Sequence, residues 1–239
     1  MSNTVFHSAD TRGHANHGWL NAKHSFSFAG HYDPERIQFG ALRVLNDDII
    51  APGMGFGKHP HDNMEIITII LDGALEHRDS MGHGEVINPD EVQVMSAGSG
   101  IFHSEFNHNK DREVNVLQSW IFTKTHNVEP RYDQTRFPEA DRVNKWQTLV
   151  SPIDNEDPGL KIHQDAWMYR SKLEKGNSIT HALHTDRHGA YIFLINGKVT
   201  IDGQELSRRD AMGITNAKDV TITASEDSDV LMYEVPMDY

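Results

Sequence analysis

The sequence predicts an all-β protein made of two antiparallel β-barrels of the jelly-roll type. Three observations lead there. Short runs rich in β-branched and aromatic residues recur along the chain and end at Gly, Asn, Asp or Pro. Long runs with helical periodicity are missing. One strand-turn-strand pattern occurs twice, which suits two similar barrels better than a single larger one.

The elements follow in chain order. Residues 66–71, 92–95 and 114–122 read as strands of the first barrel, and residues 191–195, 198–201, 220–223 and 230–235 as strands of the second. The repeat aligns EIITIILDG at 65–73 with GAYIFLING at 189–197. Each is an apolar strand closed by a hairpin turn, Asp72-Gly73 in one copy and Asn196-Gly197 in the other. Between the copies lies a polar, proline-marked stretch at 128–159, too long for a tight turn, which is expected to drape over the surface or hold a short helix. The division falls at residues 1–140 and 141–239. On the repeat alignment His59 falls on Leu183 and His61 on Thr185. His181, His184 and His188 of the second half lack a same-face pair, so chemistry is assigned to the first half alone.

Composition narrows the function classes. The 239 residues can bury a substantial core. A hydrophobic fraction of 37% and a mean hydropathy of -0.57 suit a soluble chain, and no run of roughly 18 apolar residues is present to span a membrane. The N-terminal segment has no apolar signal core. There is no cysteine, which excludes disulfides, thiol catalysis and thiolate metal ligands and fits a reducing cytoplasm. A net charge of -13 argues against direct binding to nucleic acid or to an anionic membrane. The 16 histidines matter because imidazole is the commonest metal ligand near neutral pH.

Two ligand-type pairs stand out, His59-Pro60-His61 and His103-Ser104-Glu105. Residues two apart in a strand share a face, so each pair aims two side chains the same way. Two such strands brought together inside a barrel would converge three imidazoles and one carboxylate on one point. Glu65 is a competing carboxylate, but it lies four residues from His61, about 13 Å along an ideal strand. It is assigned a supporting or structural role.

The wording around these pairs carries a resemblance. Gly53 lies six before His59 in a stretch continuing KHPHDNME, and Gly100-Ile101-Phe102-His103 is followed by Asn107. These resemble the two cupin signatures. The segments HPHDNMEIITIILDGALEHRDSMG, VQVMSAGSGIFHSEFN and RGHANHGWLNAKHSFSFAGHYDP closely resemble the pirin family, in particular its bacterial members with quercetin 2,3-dioxygenase activity. The resemblance is strongest over residues 10–135. It implies a bicupin with one mononuclear metal in the first domain, and a degenerate C-terminal cupin without one. The family's ligand set carries over onto His59, His61, His103 and Glu105. Such a donor set suits Fe, expected first, or Ni, Co, Cu, Mn or Zn, and not Mg or Ca.

The resemblance also implies a mechanism. A flavonol or related enol would give its hydroxyl proton to Glu105, acting as both ligand and general base, and react with O2 to a depside and carbon monoxide. The alternative is a non-catalytic, redox-responsive regulatory protein, because eukaryotic pirins resemble nuclear co-regulators whose iron state alters protein partner binding. Isomerisation without O2 is a third reading. His77 either fixes a ligand imidazole's tautomer or pairs with Asp79. Phe26, Phe28, Met54, Phe56 and Phe102 are candidate pocket walls or plain core. Gly98 and Gly100 are assigned to backbone bends, and His14, His17, His24 and His31 to structural or surface roles.

Overall fold

The computed structural model describes residues 2–239. Each half folds as a seven-stranded sheet facing a four-stranded one. In the first barrel the large sheet runs in the order Arg131–Arg136, Glu91–Ser96, Met64–Asp72, Val114–Phe122, Leu42–Ile50, Leu20–His24 and Gly13–Asn16. Its small sheet runs Gly55–His61, Ile101–Asn107, Leu75–Asp79 and Gly84–Ile87. The second barrel repeats the plan. Its large sheet contains Ala211–Thr215, His188–Asn196, Ser228–Pro236 and Trp167–Leu173 in that order, and its small sheet contains Ser178–Ala182 beside Asp219–Ala224. Nearly all pairings are antiparallel; Gln147–Pro152 with Leu160–Ile162 is parallel.

The alternation expected of half-buried strands is visible wherever one face is solvated. Asp219–Ala224 reads exposed, buried, exposed, buried along its length, placing Val220, Ile222 and Ala224 in the core. Central strands of the large sheets are buried on both faces instead, because the two large sheets also pack against each other. Leu45, Ile67, Ile69 and Leu117 of the first barrel meet Tyr191, Phe193, Leu231 and Tyr233 of the second in one continuous apolar cluster. This explains the unbroken run EIITIIL, which a one-sided sheet would not need. Ser119 and Tyr233 share a hydrogen bond of 2.6 Å across this seam.

The structure corrects the division at 140/141 in one place. Strand Asn3–His7 pairs with Ala211–Thr215 and therefore extends the second barrel's sheet, although it opens the first half of the sequence. It buries an otherwise free sheet edge, a placement its five residues do not reveal by themselves. The polar connection holds the strand Arg131–Arg136 and a short 3-10 turn, Glu139–Arg142.

Candidate metal centre

The centre begins with strand Ile101–Asn107, whose burial alternates without a break. Ile101, His103, Glu105 and Asn107 point inward, while Phe102 and Phe106 face out. Gly98 and Gly100, both at positive φ, make the bend that feeds this strand. At its far end the Asn107 amide donates to the carbonyls of Ile50, Ala51 and Arg112 and ties the strand to the large sheet. Its neighbour Gly55–His61 pairs so that His103 faces His59, and a register shift then sets Glu105 opposite Phe56. Gly55 is required for this approach, since a Cβ there would meet the Glu105 carbonyl oxygen at 2.1 Å.

These pairings bring His59, His61 and His103 together, with one ring nitrogen from each within 4.8 Å of the others. His103 also belongs to an overlapping group with His77 and Glu105. His77 stands directly opposite Glu105 on the other side of the strand. His77 makes two contacts: its Nε2 lies 3.3 Å from Asp79 and its Nδ1 lies 3.5 Å from Nδ1 of His103. Because the Asp79 carboxylate accepts, His77 carries its proton on Nε2 and receives Nδ1–H of His103. That leaves Nε2 of His103 as a lone pair. The same logic sets His59, whose Nδ1–H donates to the Gly57 carbonyl at 2.8 Å and frees Nε2.

The electrostatics keep the His61 and His103 rings neutral, the state a metal needs. Burial, then the neighbouring imidazoles, lowers His61 to about 4 and His103 to about 3. Nε2 of His103 is buried and has no hydrogen-bond partner among the described residues. A buried imidazole lone pair facing two other imidazoles, with no donor to satisfy it, fits a Lewis acid.

Glu105 is held by a chain of amide and indole. Trp120 Nε1–H donates to Gln118 Oε1 at 3.1 Å, which turns the Gln118 amide nitrogen toward both Glu105 oxygens, at 3.0 and 2.9 Å. Glu105 and His59 form part of the wall of a cavity of about 410 Å³, with Trp19, Phe28, Phe56 and Trp120 as its aromatic surfaces. Of the candidate wall residues, Phe28 and Phe56 are there. Phe26 packs in the seam between barrels, and Met54 and Phe102 are exposed. Sequence reasoning missed Asp48, Gln118, Trp19 and Trp120, and it assigned His24 a merely structural place. His24 lines the cavity and pairs with Asn46 at 2.9 Å. Asp48 lines it too, its carboxyl pushed up to about 8 by burial and by nearby Asp47 and Glu105. The available signal was polar residues at inward positions of apolar strands, as in VLNDDII and VLQSWIF.

Glu65 is fully buried and bonded to Ser96 Oγ at 2.6 Å, with its carboxyl raised to about 7 by burial. It shares the face of Ile67 and Ile69, toward the other barrel. The turn at Asn63, in the left-handed region, breaks the parity that its sequence distance from His61 suggests.

Two barrels of this topology, one lined by a His/Glu cluster suited to a divalent metal, define a metal-binding bicupin. Comparison with known proteins sharpens this. Residues 5–121 match the pirin family model, and residues 148–235 match a quercetinase C-terminal cupin domain. A quercetin 2,3-dioxygenase of Escherichia coli K12 is 45% identical over 228 residues, covering 95% of this chain and 96% of that one. A pirin-like protein of Caulobacter vibrioides is 43% identical over 225 residues, covering 94% and 96%. The crystal structure of the bacterial pirin YhhW of Escherichia coli in complex with nickel(II) superposes with a TM-score of 0.92 at 42% identity, covering 98% of this chain and 99% of that one. The chain belongs to the pirin family. Among the described residues no helix is long and apolar enough to cross a membrane.

Proposed function

We propose that this protein is a metal-dependent dioxygenase that cleaves flavonols such as quercetin, or a related enol, with O2 to a depside and carbon monoxide. The observation that carries the reading is the unpartnered Nε2 of His103, set among the imidazoles of His59 and His61 and beside Glu105, which faces an aromatic cavity. The relative named quercetin 2,3-dioxygenase, aligned across nearly the whole of both chains, supports it.

In this reading His59, His61, His103 and Glu105 hold one divalent transition ion, iron first among Fe, Ni, Co, Cu, Mn and Zn. Such an ion, when bound, would supply Lewis acidity that makes the flavonol 3-hydroxyl easier to deprotonate. The protein does the rest. Glu105 accepts the hydroxyl proton, and the Gln118–Trp120 chain keeps its carboxylate aimed at the cavity. Trp19, Phe28, Phe56 and Trp120 offer flat faces to the aromatic rings and exclude water from them. The Asp79–His77–His103 relay fixes the tautomer of His103, the most buried of the three ligand imidazoles in this reading.

The test is oxygen consumption with quercetin after anaerobic reconstitution with each of the six metals, with carbon monoxide measured in the same vessel. Metal-dependent uptake matched by carbon monoxide is the expected result. No uptake with any metal, at confirmed loading, overturns it in favour of a metal-binding interaction protein.

A further inference from the structure

We propose a second metal site, in the second barrel, where His181, His184 and Glu234 hold a divalent cation of the zinc type. Glu234 lies on the central strand Ser228–Pro236 and is fully buried. Three imidazoles converge on it. Oε2 lies 2.7 Å from His181 Nε2 and 2.9 Å from His184 Nδ1, and Oε1 lies 2.9 Å from His188 Nδ1 and accepts the His184 backbone N–H at 2.7 Å. One ring nitrogen each of His181 and His184 and one Glu234 oxygen all lie within 4.8 Å of one another. Two imidazoles and a carboxylate with one open position is a common zinc donor set.

The surroundings have the form of a metal's supporting shell. Trp167 stacks on the His184 ring at 3.8 Å, nearly parallel at 7°, and its indole N–H donates to Asp157 Oδ2 at 2.8 Å. That same oxygen is 4.0 Å from His184 Nε2, so an acceptor stands ready for the ring's proton once Nδ1 becomes a ligand. His188 holds the other Glu234 oxygen and turns Oε2 toward His181 and His184. The His184 side chain is about a third exposed, which gives a path from solvent and room for a water ligand.

Strand register places Glu234 at the second-barrel position that Trp120 holds in the first. Trp120 pairs with Ile66 in the first barrel as Glu234 pairs with Ala190 in the second. The His61 ring is 4.8 Å from Trp120, and His181 Nε2 is 2.7 Å from Glu234 Oε2. The sequence conceals this because His181 lies near the end of a strand and His184 belongs to the following loop.

The test uses the full chain carrying His59→Ala and His61→Ala, which dismantles the first-barrel group, in equilibrium dialysis against Zn2+ alone. One equivalent should be retained, with side-chain nitrogen resonances of His181 and His184 shifting on loading, and a further His184→Ala change should abolish it. In the otherwise native chain His184→Ala should lower zinc stoichiometry by one, which covers a folding failure of the double variant. No zinc retained by the folded double variant overturns the proposal. So does an equivalent that survives both His184→Ala and His181→Ala.

Discussion

The two barrels share one frame and fill it differently. In the first, the register row that crosses the large sheet runs Gln93, Thr68, Gln118, Asn46 and His24, polar at every strand. The matching row of the second barrel runs Met212, Ile192, Met232 and Tyr169. Apart from Glu234 and the histidines bonded to it, the second interior is accordingly one apolar cluster, whereas the first holds two small ones beside the imidazoles and Glu105. Among the described residues most buried polar side-chain atoms without partners lie in the first barrel: Asp48 Oδ1, Thr68 Oγ1, both amide atoms of Gln93, and His103 Nε2, against Arg142 Nε and Trp146 Nε1 beyond it. Each such group costs about 1–3 kcal/mol. A site is thus written in one row and one strand pair while topology and seam stay unchanged, so the cupin frame alone does not tell which barrel acts.

Breaking the first barrel's polar layer should give the largest effects. His103→Ala is expected to abolish metal retention and quercetin-dependent oxygen uptake together, with secondary structure by circular dichroism unchanged. Glu105→Gln should lower kcat by about 10²–10⁴-fold, the range for a lost general base, in protein matched for metal content. Retained turnover in either variant would separate the imidazole cluster from the chemistry. Next in size is His77→Phe, which keeps an aromatic ring in the buried place but removes the relay from Asp79 to His103. Metal affinity by competition with a chelator should fall by about 10–100-fold. An unchanged affinity would mean that the His59 and His61 rings alone set the site.

How far the sequence reveals this contrast depends on the range of each signal. The parity of His103 and Glu105 is local, and strand Ile101–Asn107 obeys it residue by residue. The hairpin turns at Asp72-Gly73 and Asn196-Gly197 are local too, and both glycines adopt positive φ. Glu65 shows where locality ends: the left-handed Asn63 between the strands resets the face, so a count from His61 misplaces the side chain. The cavity wall escapes for another reason. Trp19, Asp48, Gln118 and Trp120 come from two strands and a loop whose pairing is set by long-range register. The same is true of Asn3–His7, whose partner strand is some 200 residues away in the chain. Similarity to the pirin family supplied the ligand set that these local rules leave open.

Glu65 also offers a pH test of the seam. Its second-barrel counterpart is Gly189, where a Cβ would meet the Phe39 ring, so only the first barrel carries an acid there. The folded protein holds the Glu65 proton up to about 7, while the unfolded chain releases it near the ordinary glutamate value of 4.5. Between those values the folded state binds more protons, so this group's contribution to stability falls as pH rises through the window and is level above it. In Glu65→Gln that slope should vanish. Urea midpoints of wild type and variant should diverge by an amount on the order of 2 kcal/mol from pH 5 to pH 8, the wild type losing ground. Parallel profiles would place the carboxylate's charge in contact with a compensating partner.

The smallest expected effect tests the row itself. Thr68 and Ile192 occupy matching positions, both fully buried, one with an unpartnered hydroxyl and one without. Thr68→Val keeps the β-branched shape and removes that hydroxyl, so metal-free stability by chemical denaturation should rise by about 1 kcal/mol. Ile192→Thr introduces the same defect into the second barrel and should cost about 2 kcal/mol, since nothing in the apolar row of Met212, Met232 and Tyr169 can receive it. Opposite signs at equivalent positions would show that the first barrel gives up stability at its polar layer. If Thr68→Val destabilises instead, the hydroxyl is satisfied by solvent inside the barrel, and the polar row belongs to the fold rather than to the ligand.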